Sequence, residues 1–145
     1  MYTALLYAHS IIRWILLLLL LVIIYKMFSS STTKLGTSKW LLIFAHIQLL
    51  MGLYEYFFGG SGYAYFQQYG ASEVMKNDAY RFWAVEHITG MLAAIVFITV
   101  GHVSFKKTGN AKRTGVFYLL ALIIILATIP WPLREGIGRP WFPGM

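Results

Sequence analysis

The chain has 145 residues, of which 59% are apolar and only 12% charged, with a mean hydropathy of +0.65. That balance excludes an ordinary soluble domain and describes one membrane domain with little length left for an extramembrane one. A net charge of +7 would suit nucleic acid, yet most basic residues sit in two short loops between apolar segments, and the lack of cysteine excludes disulfides, thiolate ligands and c-type cofactor attachment.

Four apolar segments predict an all-α, four-helix transmembrane bundle that forms a single domain over residues 1–145. The first helix covers about 4–27. Only Arg13 precedes its apolar centre and Lys26 follows it, the reverse of a signal peptide, so the segment reads as a mature helix. A polar loop from Ser29 to Ser38 leads to a second helix over about 39–58, which Gly59-Gly60 ends. The longest loop, Gly59 to Tyr80, is rich in tyrosine, carries mixed charge and has room for a short amphipathic helix. The third helix covers about 81–105 and the fourth about 114–129, where Pro130-Trp131-Pro132 stops it.

Loop charge predicts the orientation. The loops after the first and third helices, with their flanks, hold Lys26, Lys34, Lys39, Lys106, Lys107, Lys112 and Arg113 and no acid. The middle loop and the tail hold Lys76, Arg81, Arg134 and Arg139 against Glu73, Asp78 and Glu135. The positive-inside rule then makes the acid-free loops cytoplasmic and both termini outer. Trp14, Trp40, Trp83 and Trp131 fall towards helix ends, as an interfacial aromatic belt requires.

The four histidines sort by depth on this topology. His9 and His87 lie a few residues inside the outer surface, on the first and third helices; His46 and His102 lie near the inner surface, on the second and third. Fifteen residues separate His87 from His102, roughly 22 Å of helix axis and about 60° of rotation, so the third helix offers one imidazole to each leaflet. Randomly placed histidines would seldom pair so. Two neutral imidazoles from different helices fill the axial positions of a haem iron, which predicts two stacked haems held by His9 with His87 and by His46 with His102. Arg13, one turn from His9, and Arg81 are candidates to neutralise outer propionates, and Lys39, Lys106 and Lys107 inner ones. Gly90 and Gly101 would leave space for a flat macrocycle.

Each of these residues also has a plainer reading. A histidine near a helix end is often an interfacial group bonded to a carbonyl, although ionisable groups inside the membrane mark function by default. Arg13 can snorkel to the surface, glycines pack membrane helices without any cofactor, and the methionines, Met51 and Met91 among them, suit a core. Glu55, near the outer end of the second helix, is a candidate proton acceptor or partner of Arg13, and an interfacial glutamate is an equal alternative. Glu86 reads as a partner of Arg81 or Arg134, and Arg134, Arg139, Trp131 and Trp141 as a cap over the outer site.

Around HSIIRW at His9, HIQLLMGLYEYF at His46, RFWAVEHITGML at His87 and the closing IPWPLREGIGRPWF, the chain resembles the di-haem b-type membrane cytochromes. It looks most like short bacterial four-helix proteins described as cytochrome b. The resemblance implies two haem b groups in a bacterial inner membrane and electron transfer between a quinone/quinol pool and an outer-face partner. A small oxidant or reductant such as superoxide is an equivalent redox partner, and a larger respiratory complex a setting. The fourth helix carries no histidine, a departure from the ligand distribution of many such cytochromes. Two other classes remain beside this reading: a membrane protein that binds or transports a non-haem metal through its histidines, and a structural subunit of a larger complex.

Overall fold

In the computed structural model, which describes residues 2–29 and 34–142, every regular element is helical. Helix α1 spans Tyr2–Phe28, α2 Leu35–Phe58, α3 Tyr63–Lys76, α4 Asp78–Thr108 and α5 Ala111–Thr128. All but α3 are long and apolar enough to cross a bilayer, with hydropathy between 1.5 and 2.4 over their best windows. The protein is thus an integral, multi-pass membrane protein.

The helices outrun their apolar stretches. Helix α2 begins at Leu35 and α5 at Ala111, earlier than apolar content predicts, because hydrophobicity marks the length in lipid while backbone hydrogen bonding continues into the interface. Gly109 ends α4 in the left-handed conformation (φ 64°), and the Asn110 side chain caps α5 by accepting from the Arg113 N–H at 2.9 Å. The turn between two membrane-length helices is therefore only Gly109-Asn110.

The four long helices form a ring in which α1 packs on α2, α2 on α4, α4 on α5 and α5 on α1. Helices α1 and α4 face each other diagonally. Leu20, Ile23, Leu41, Ala45, Ala94, Ile98, Tyr118 and Ala121 are fully buried along the axis. Much of the outer surface is bare Leu, Ile, Val and Phe, as lipid contact requires. Helix α3, kinked at Gly70, lies at the end that carries Tyr2 and Trp141; the lysine-rich turns lie at the opposite, basic end.

Small residues set the close approaches. A Cβ on Gly90 would collide with Thr128, and one on Gly101 with the Tyr118 ring, so both glycines bring α4 against α5. The room expected beside them for a macrocycle is filled by α5: they are packing positions, and neither lines the cavity described below.

Candidate functional site

A cavity of about 640 Å³ opens at the α3 end and reaches the middle of the bundle. Its polar wall begins on α1, where His9, Ser10, Arg13 and Leu16 follow one helical face. Helix α2 adds Ala45, Gln48, Leu49, Gly52 and Glu55. Helix α4 adds Trp83, His87, Met91 and Ile95, and Ile129, Pro130 and Arg139 close the side towards the tail. His9 and His87 thus line one space from diagonal helices.

The orientation of His87 follows from two prolines. A helical carbonyl at position i bonds the N–H at i+4, and Pro130 and Pro132 have none, so the carbonyls of Leu126 and Thr128 lose their partners. The Trp131 indole N–H donates to Leu126 O at 2.7 Å, and His87 Nδ1 lies 2.8 Å from Thr128 O. A carbonyl only accepts, so His87 carries its proton on Nδ1. In the neutral ring Nε2 is then a bare lone pair. Phe82 and Trp83 flank the imidazole with centroids 5.9 and 5.7 Å away. They belong to a widened π turn, Phe82–Glu86, directly before His87, and its Ala84 carbonyl accepts from Tyr56 OH at 3.1 Å.

His9 is held differently. A Cβ on Gly52 would lie 3.1 Å from His9 Cε1, so the missing side chain makes room for the ring. Gln48 donates to the His9 carbonyl at 3.0 Å, and Glu55 Oε2 is 4.0 Å from His9 Nδ1, too far for a direct hydrogen bond. Glu55 therefore stands beside His9. Arg13 instead donates to Ser10 Oγ at 3.2 Å and to the Trp141 carbonyl at 3.0 Å.

Six buried side-chain polar atoms have no hydrogen-bond partner among the described residues, and four of them belong to this cavity: His9 Nδ1, Arg13 Nε, Gln48 Oε1 and Glu55 Oε1. Buried polar groups are ordinarily paired, so four unpaired atoms among the residues that line one cavity make it the candidate ligand site. Leu49, Met91, Ile95 and Ile98 are the apolar part of the lining. The lining thus combines two imidazoles and the cations Arg13 and Arg139 with apolar side chains.

Arg81 is elsewhere. It bonds Glu86 at 2.8 Å, Asp78 at 2.9 Å and the Met75 carbonyl at 3.1 Å, and does not line the cavity. Arg139, expected only as part of a cap, does line it and lies over the Trp83 ring at 4.9 Å. Gln48 and the Thr128 carbonyl were not foreseen. A backbone acceptor leaves no trace in composition, although the Pro130/Pro132 spacing contained the signal.

The inner pair is not brought together. His46 is exposed on the outside of α2, with Nδ1 2.8 Å from the Leu42 carbonyl of its own helix. His102 Nδ1 meets Ser38 Oγ at 2.8 Å, and Ser38 in turn meets the buried Tyr118 hydroxyl at 2.5 Å. Ser38 and His46 are eight residues apart, roughly 12 Å along α2, so His102 is engaged two turns away from His46. Lys39, Lys106 and Lys107 line no part of the large cavity. Among the described residues, no three His, Asp or Glu side chains gather as a metal-binding group. No protein family, no curated protein and no solved structure matches the chain.

Proposed function

We propose that this chain is a membrane b-type cytochrome in which the cavity between α1, α2, α4 and α5 would take a haem and His9 and His87 would hold its iron. The observation that carries the reading is the diagonal pair of imidazoles on one cavity, with His87 fixed by Thr128 so that its Nε2 is free. The hydrogen bond from the far ring nitrogen to a carbonyl is the arrangement that orients metal-bound histidines. Met91, Ile95 and Leu49 supply apolar walls, while Arg13 and Arg139 supply cations for propionates. A haem held by these two histidines would supply one-electron exchange.

The chain's own residues then bind, orient and exclude water. Glu55, with one carboxylate oxygen unpartnered beside His9, is positioned to accept a proton from a quinol, or from another small reductant, at the cavity mouth. The acid-free basic end supports the orientation N-out and C-out, and the resemblance to b-type cytochromes supports a bacterial inner membrane. Because His46 and His102 are engaged apart, the reading is one haem per chain, not two. The alternative of a non-haem metal protein is less well supported: a tetrahedral site wants three or four converging ligands, and this cavity offers two imidazoles.

The visible spectrum of the purified chain tests the proposal. A reducible b-type spectrum that disappears in His9→Ala and in His87→Ala, and persists in His46→Ala, is the expected result. A colourless protein, or a spectrum indifferent to His87, contradicts it.

A further inference from the structure

We infer that the basic end of α4 carries a binding site for one anionic phospholipid, a site separate from the large cavity and independent of what that cavity holds. A groove of about 370 Å³ runs along the lipid-facing side of α4, lined among others by Val100, Val103, Ser104, Lys107 and Arg113. Spacings of three and four place the first four on a single helical stripe from mid-membrane to the helix end. Val100 and Val103 are exposed at 42% and 41% and offer an apolar track for an acyl chain.

The polar end of the groove is made for an anion. The two-residue turn at Gly109-Asn110, which needs the left-handed glycine, folds Arg113 of α5 back beside Lys107 of α4. Neither cation has an acidic partner among the described residues, and the whole turn lacks acids. Ser104 Oγ is buried and without a hydrogen-bond partner among the described residues. Arg113 also sits in the first turn of α5, where the helix dipole disfavours a cation and no acid offsets it. An anion held between Lys107 and Arg113 removes that penalty. Cations at the interface above an apolar track match a phosphodiester joined to an acyl chain; a free phosphate has no use for the valines.

The same loop provides its own control. Lys106 and Lys112 carry equal charge at the same depth but do not line the groove. Full-length protein in nonionic detergent is titrated with dioleoylphosphatidylglycerol or dioleoylphosphatidylcholine, and bound lipid is counted by native mass spectrometry. The site predicts one preferentially bound phosphatidylglycerol. Lys107→Gln with Arg113→Gln should weaken it about 25-fold, roughly fivefold per cation, and Lys106→Gln with Lys112→Gln by less than about threefold. Equal losses in the two double variants would reduce the site to a diffuse positive field and overturn the proposal. So would equal binding of the two lipids, or full displacement of the lipid by millimolar inorganic phosphate.

Discussion

The two ends of the bundle use the same chemistry to opposite effect. At the basic end, His102 Nδ1, the Ser38 hydroxyl and the Tyr118 hydroxyl form a hydrogen-bonded chain that ties α2, α4 and α5. At the α3 end, His87 is anchored to Thr128 and turns its second nitrogen inward, while His9, Arg13, Gln48 and Glu55 each leave a buried polar atom unpaired on one cavity. Polar groups that satisfy one another act as interhelical glue. Polar groups left over around a space are available to a ligand. A histidine's depth in the membrane is the same at both ends, so its partners, and not its position along the chain, decide what it does.

The largest expected effect tests that asymmetry directly. His87→Ala should remove the cofactor from the α3 end completely, whereas His102→Ala should leave it bound and cost only stability; cofactor content of purified protein checks both. Next in size is Gly90→Ala. Its new methyl would strike Thr128, push α5 from α4 and disturb the carbonyl that holds His87. Overpacking of this kind costs about 1–3 kcal/mol, visible as a lowered Tm together with partial cofactor loss. Ser38→Ala unties the closed end and strands Tyr118 and His102. We expect a loss of about 1 kcal/mol in denaturant titration with an unchanged cofactor spectrum. His46→Ala, on the lipid face, should change neither stability nor spectrum measurably, and any loss of cofactor in it would erase the contrast between the ends.

Much of this was legible in the residues. Four apolar spans, the aromatic helix ends and the matched depths of His9 and His87 all follow from composition and spacing, because depth is read along one coordinate. The direction a side chain faces needs a second. On α2 that direction was present as the small residues Ser38, Ala45 and Gly52, seven apart, which mark the inward face. His46 is one residue, about 100°, off that stripe and turns outward. On α4 the same signal had a different meaning: Gly90 and Gly101 mark where α5 presses close, since in lipid small residues are contact points first. Arg81 looked available because it is basic and near His87, but Asp78 and Glu86 lie within reach on its own helix.

The haem content of the purified chain, set beside that of a His46→Ala/His102→Ala double variant, tests the central claim most directly. The account predicts about one haem per chain in both proteins, since only the His9–His87 cavity holds it. Two haems per chain falling to one in the double variant, or no haem in either, would contradict it.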